Sequence, residues 1–382
     1  MSLRSWLILF ALCLAALAAL TQRAFHPAPP PADRERLNVA VALGGDAAEG
    51  YARALTPREF SFPSDHGPHP RYRTEWWYYT GNLQAADGRR FGYQLTFFRI
   101  ALTPEPQPRA SGWAANQLYM AHFALTDVAG RRFFHFERFA RAALGLAGAT
   151  TDPYRVWLED WEASSDGSTA LPMRLRAAQQ RIAIDLHLES AKPVVLQGER
   201  GLSQKSPEEG NASYYYSLTR MPTVGRIEVG GESLAVAGDS WLDREWSTSA
   251  LGPEQAGWDW FSLQLDDGRE LMYYRLRKKD GSGDPMSSGT LVAGDGSYRR
   301  LRPQQVIIDE MGSWQSPHSG ARYRYPSGWL LRLPGEGLEL QITPMLRDQE
   351  LQATVRYWEG AVVVEGTVGG QGYVELTGYG EE

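Results

Sequence analysis

The chain has 382 residues, beyond the usual reach of one hydrophobic core, so it calls for two domains or one large β-architecture. Its 39 Lys+Arg against 45 Asp+Glu leave a net charge of -6, and the basic residues are mostly scattered arginines, which argues against a nucleic-acid surface. Aromatic residues make up 12% of the chain and must fill cores or line a cavity, so an apolar ligand fits the composition.

Arg4 and the apolar run Trp6 to Leu20 read as a secretory signal peptide over residues 1–24. The run is shorter than a typical spanning helix, though an uncleaved anchor would use the same residues. The expected location is therefore the periplasm or the outer face of the cytoplasmic membrane. The single cysteine, Cys13, sits inside this run in a poor context for a lipoprotein site, so a cleaved chain would hold no thiol for disulfides or metal thiolates. Residues 25–54 are rich in Pro, Gly and Ala and read as a tether.

From Pro57 onward strand signals dominate: "TEWWYYTGNL", "RFGYQLTFFRI", "QLYMAHFALTD", "SYYYSLTRM", "WDWFSLQL", "RELMYYRLR" and "ATVRYWEGAVVVEGTV", split by turn pairs such as Asp87-Gly88. A minor helix is expected around Glu137 to Leu146. The chain is all-β. "WWYYTGNLQAADGRRFGYQL" and "WDWFSLQLDDGRELMYYRL" repeat one hairpin at an offset of 180, which predicts two homologous β-units, 55–240 and 241–382. Each has the size of an up-and-down barrel, with a sandwich as the competing architecture.

"FPSDHGPHPRYRTEWWYYTGNL", "SYYYSLTRM", "VAGDSWLDREWSTS", "GWDWFSLQLDDGRELMYYRLR" and "YWEGAVVVEGTVGGQGYVELTGY" resemble the AttH-type secreted proteins grouped with carotenoid 1,2-hydratase (hydroxyneurosporene synthase). The likeness runs from about Phe60 to Tyr379. It implies two tandem lipocalin-like (calycin) β-barrels, and fungal relatives of like architecture extend the implied chemistry to pericyclic cyclases acting on polyenes.

In "SWLDREW", strand alternation puts Trp241, Asp243 and Glu245 on one face and Leu242, Arg244 and Trp246 on the other. Hydrating an isoprenoid double bond requires an acid kept neutral by burial or by a neighbouring carboxylate, and aromatic faces to stabilise a tertiary cation. An Asp/Glu pair among tryptophans meets both needs, and the resemblance points to the same stretch. The same residues would equally serve as a seam in which Arg244 pairs with a flanking acid. Glu75 shares a face with Trp77 and Tyr79, and His122 in "YMAHFALTD" is the remaining acid–base candidate, although a rim glutamate and a hydrogen-bonded structural histidine are the plainer readings. The candidate ligand-binding set adds Tyr93, Tyr214, Tyr216 and Trp258 to those aromatics, with Arg99 and Arg244 as anchors for a polar head group; a barrel-end plug is the plainer reading of Trp258. Asp259 is a weaker site candidate, and Glu359 in "YWEG" reads as core and turn.

No GxSxG, P-loop, HExxH or dinucleotide fingerprint is present, and the histidines are dispersed, so neither cofactor nor metal is called for. Three functions remain. The first is a secreted carrier of a lipid or isoprenoid, handing this hydrophobic small molecule to an ABC-type membrane transporter. The alternatives are a carotenoid 1,2-hydratase-like hydro-lyase and a polyene cyclase or isomerase. The export signal favours the carrier, because carotenoid assembly takes place at the cytoplasmic membrane.

Overall fold

The computed structural model describes residues 49–380 apart from 106–109, 166, 168, 249–250 and 319–322. The expected leader and most of the expected tether lie outside the described residues. Two large antiparallel sheets dominate, with 3-10 turns at Ser64–His66, Pro303–Gln305 and Pro334–Glu336. Each sheet curls into a nearly closed, lipocalin-like barrel.

The repeated sequence forms the opening hairpin of each barrel. Thr74–Ala85 pairs with Arg90–Ala101 on one side and with the closing strand Glu232–Ser247 on the other. Gln255–Leu265 pairs in the same way with Glu270–Lys278 and with the closing strand Gly370–Leu376. In both sheets the open seam follows the fourth strand, between Arg132–Arg141 and Ala147–Thr150 in the first and between Tyr298–Leu301 and Ile307–Glu310 in the second. The hairpin turns need a left-handed residue, which Gly88 (φ 87°) and Gly268 (φ 84°) supply, while Asp87 and Asp267 accept the backbone N–H of the arginine two residues on.

Two boundaries differ from the sequence reading. The strand Glu232–Ser247 crosses residue 240 and belongs wholly to the first sheet, so the change of sheet falls between Ser247 and Gln255. The helix expected at Glu137 to Leu146 is instead the strand Arg132–Arg141 followed by a turn. Phe134 and Phe136 alternate onto the barrel core, and the positive φ of Leu144 (52°) and Gly145 (74°) ends any regular continuation.

Alternation decides which side chains fill each barrel. Trp77, Tyr79, Tyr93, Leu95, Phe97, Phe123, Leu175 and Leu186 pack the first interior, and Phe261, Leu263, Trp329, Leu340 and Val374 the second. The opposite faces of these same strands meet in a layer between the barrels, where Tyr78, Tyr215, Trp241, Trp260, Met272, Tyr274 and Tyr373 cluster. The approach is close at Gly92, where an added Cβ would stand 2.5 Å from the Cβ of Ala361.

Candidate functional site

Asp259 apart, the residues singled out in the sequence separate into the first barrel and the layer between the barrels, and strand parity is the reason. Inward-facing members gather at one end of the first barrel. Glu75, fully buried, accepts from the guanidinium groups of both Arg99 and Arg244 and from the backbone N–H of His69. Arg99 also donates to Gln117 and to the carbonyls of His69 and Tyr72, and Arg244 to the carbonyl of Gly67. Burial alone would raise the Glu75 pKa, but the two guanidinium charges hold it far below the usual carboxylate range. Arg244 lies over the Trp77 ring at 3.8 Å, and Trp77 donates its indole N–H to the carbonyl of His66. Burial, followed by the Arg244 charge, pushes His66 down to about 4, so its ring stays neutral against the Tyr216 hydroxyl at 2.6 Å.

The segment from Ala52 to Tyr72 closes this end. Phe60 and Tyr72 pack with Tyr214, Tyr216 and Trp246, and His69 stacks flat on Trp246 at 3.7 Å. Tyr79 meets Tyr154 at 2.5 Å; Tyr93, opposite Gly81 and so six residues along the strand from Glu75, lies away from this end and meets Ser240 at 2.6 Å. Arg244 therefore pairs across strands with Glu75 rather than with Asp243 or Glu245, which lie on the other face of its own strand.

Asp243 and Glu245 face the layer between the barrels. Asp243, only 4% exposed, accepts from Ser217 (2.5 Å), from the Trp241 indole (2.7 Å) and from the Tyr215 hydroxyl. Burial nevertheless outweighs these hydrogen bonds and pushes its pKa up to about 7. Glu245 accepts from Ser213 and pairs with Lys205, whose ammonium lies over the Tyr274 ring at 4.4 Å.

The second barrel brings two further carboxyls to this layer, and sequence reasoning missed both. Glu359 and Glu375 are directly opposed on adjacent strands, and Trp260 is the cross-strand neighbour of Glu375 on its other side. Glu359 is 1% exposed and accepts only from the Tyr78 hydroxyl; its Oε2 has no hydrogen-bond partner among the described residues. Burial, reinforced by the Glu375 charge, keeps Glu359 well above the usual carboxylate range. Glu375, partly buried, accepts from the Trp258 indole at 2.9 Å and is also raised, first by burial and further by the charges of Asp243 and Glu245. Tyr78 ties the two barrels together, because it is the cross-strand partner of Asp243 and the donor to Glu359. Trp76 and Trp258, partly buried, pack at the margin of the cluster, and Trp260 stands edge-on to Tyr78 at 5.1 Å. The layer thus joins carboxyls that prefer to be protonated to aromatic faces able to stabilise a cation.

His122 also points into this layer, fully buried, against Tyr357 of the second barrel at 2.7 Å. Asp259 belongs instead to the second barrel's end, where Arg275, Arg277 and Tyr379 all donate to it. The sign that could have exposed Glu359 was parity in "YWEGA": Tyr357, Glu359 and Ala361 share one face, an acid between aromatic and small residues as in "SWLDREW".

The AttH-like family profile matches residues 53–379. A solved structure from Nitrosomonas europaea, assigned to AttH, is 38% identical, with 86% of this chain and 99% of that one covered at a TM-score of 0.76. Kievitone hydratase from Nectria haematococca shares the fold at 16% identity and a TM-score of 0.63, covering 86% of this chain and 96% of its own. CghA, solved with Sch210972, shares it at 14% identity and a TM-score of 0.51, covering 87% of this chain and 95% of its own. No curated protein matches the chain.

Proposed function

The chain belongs to the AttH-like family, and on that footing we propose that it is an acid–base enzyme of the hydro-lyase type, adding water to a carbon–carbon double bond of an isoprenoid between its two barrels. One observation carries this reading: Glu359 is buried, held protonated, and keeps one carboxyl oxygen free of any partner among the described residues. A buried polar oxygen without a partner is costly, and it makes sense where a substrate or water completes it. The neutral acid transfers its proton to one alkene carbon as the π pair forms the new C–H bond. The tertiary cation left behind faces Trp260, Trp258 and Tyr78, with Asp243 close to its charge transition at neutral pH. Water then forms the C–O bond and releases one proton, so the net change is addition of one water.

The carrier reading draws less support from the barrels themselves, since core side chains pack both interiors where a lipocalin-style ligand would sit. That the fold neighbour kievitone hydratase carries a hydratase name is in keeping with the proposal. The apolar run Trp6 to Leu20 would set the reaction on the outer side of the cytoplasmic membrane, which fusion of the first residues to an export-dependent reporter checks.

The test is incubation of the protein with acyclic carotenoids in oxygen-18 water. Label is expected in a tertiary alcohol, and Glu359→Gln is expected to lower its rate by about 100-fold or more, the usual weight of a positioned general acid. Wild-type turnover in both Glu359→Gln and Asp243→Asn would remove the proposed acid.

A further inference from the structure

Water addition leaves one proton to dispose of, and the same layer contains a second hydrogen-bonded chain that the acid cluster does not use. It runs from Tyr357 of the second barrel through His122 to Glu137 of the first. The Tyr357 hydroxyl lies 2.7 Å from His122 Nδ1, and His122 Nε2 lies 3.0 Å from a Glu137 carboxyl oxygen. His122 and Tyr357 are buried, whereas the Glu137 side chain keeps 16% of its surface in solvent. The chain therefore begins in the layer and ends at water.

Its polarity follows from what each partner can do. Burial would raise the Glu137 pKa, but hydrogen bonds from His122 and from both the backbone N–H and the hydroxyl of Thr354 outweigh it and hold the group ionised. A carboxylate only accepts, so the imidazole hydrogen belongs on Nε2 and the Nδ1 lone pair faces Tyr357. Gln94 already donates to the Tyr357 oxygen at 2.9 Å, which leaves the phenol hydrogen directed at Nδ1. Carboxylate, imidazole and hydroxyl are thus ordered as in a nucleophile triad, with a phenol at the working end. Two placements aim this end at the proposed chemistry. Tyr357 and Glu359 are two residues apart on one strand face, about 7 Å along the strand. The Gln94 Oε1 beside Tyr357 is, like Glu359 Oε2, buried without a partner among the described residues. An unpaired amide acceptor and the unpaired O–H of the protonated Glu359, both facing one layer, suit a bound water.

We infer that Tyr357, His122 and Glu137 form a proton-relay arm that takes the proton from the attacking water and passes it to solvent, an assignment that rests on the hydration reading above. As the water O–H bond breaks, Tyr357 gains that proton and gives its own to His122 Nδ1. The imidazolium then releases its Nε2 proton through Glu137, and the arm resets when a solvent proton re-enters Nε2 by the same route and the Nδ1 proton returns through Tyr357 to the Glu359 carboxylate. Tyr357 touches the reacting water; His122 and Glu137 act through it and are positioning residues.

Two measurements test the arm and separate its failure from that of the acid. Nitrogen-15 NMR of the full chain with labelled histidine is expected to show His122 as the Nε2–H tautomer, and Glu137→Gln is expected to loosen that preference. A proton on Nδ1 in the unaltered protein would reverse the hydrogen bonds and overturn the relay whether or not hydration occurs. In oxygen-18 turnover of an acyclic carotenoid, Tyr357→Phe and Glu137→Gln are each expected to lower kcat by about 100-fold with KM little changed, and the double variant to fall little further. Wild-type kcat in Tyr357→Phe, which keeps the ring and its packing, overturns the relay. If the unaltered protein hydrates nothing, both readings fail; if it hydrates and Glu359→Gln changes nothing while Tyr357→Phe slows it, the acid reading fails and the arm stands.

Discussion

Replacing Asp243 by Asn should make the protein less sensitive to rising pH, and the size of the effect follows from its surroundings. The buried carboxyl titrates at about 7 in the folded chain, whereas an unfolded aspartate titrates at about 3.9. Between those values the folded state keeps a proton that the unfolded chain has released, so stability falls as pH rises. The contribution is complete below about pH 4 and gone above about pH 7, and at about 1.4 kcal/mol per unit it totals about 4 kcal/mol. Asparagine imitates the protonated acid: its Oδ1 keeps the Ser217 and Trp241 donors, and its Nδ2 can donate to the Tyr215 oxygen. Urea unfolding followed by tryptophan fluorescence at about pH 5 and about pH 8 should show the unaltered protein losing about 3 kcal/mol relative to Asp243→Asn. That corresponds to about 1 M in the midpoint difference. Comparing the difference cancels the slope from Glu359, and the part of the Glu375 slope that the Asp243 charge causes disappears with that charge and adds to the measured difference. Parallel curves would mean that Asp243 is ionised across the range and that the layer is wetter than its burial implies.

The barrel end gives the opposite kind of result: Glu75→Gln leaves Arg99 and Arg244 buried without their counter-charge and should cost about 3–5 kcal/mol, read from thermal or urea unfolding. A loss below about 1 kcal/mol would show that the guanidinium groups find water instead. Gly92→Ala would drive a methyl into Ala361 and the Tyr373 hydroxyl across the layer and should cost about 1–3 kcal/mol, with faster amide exchange on both facing strands. Unchanged exchange there would mean that the barrels separate without strain.

Period-two patterning made the all-β class legible, and the two Asp-Gly hairpins exposed the duplication, because both signals are local. The same alternation correctly assigned Asp243 and Glu245 to one face and Arg244 to the other. It could not supply Arg244 with its partner, since Glu75 comes from a strand far away in sequence. Glu359 and Glu375 lie in separate strands whose opposition depends on register, and the charge of each only becomes costly once the other barrel covers it. Leu144 and Gly145 stopped a helix that composition around Ala142 and Ala143 favoured, because left-handed backbone is a tertiary outcome there.

The duplication also explains why the acids can be held where they are. In each barrel the opening hairpin carries a buried carboxylate directly opposite an arginine, Glu75 with Arg99 and Asp259 with Arg275. Such pairs add little net stability, yet separating one inside the barrel is expensive, so they resist strand slippage. A slip of one residue would turn every side chain to the other face. Outward neighbours therefore take their places by parity: Tyr78 lies three residues from Glu75, and Trp260 one residue from Asp259. Tyr78 then meets Asp243 and Glu359, and Trp260 meets Glu375, in rows that neither barrel could assemble alone. The two ion-paired barrel ends fix the register, and the layer between them is free to carry chemistry.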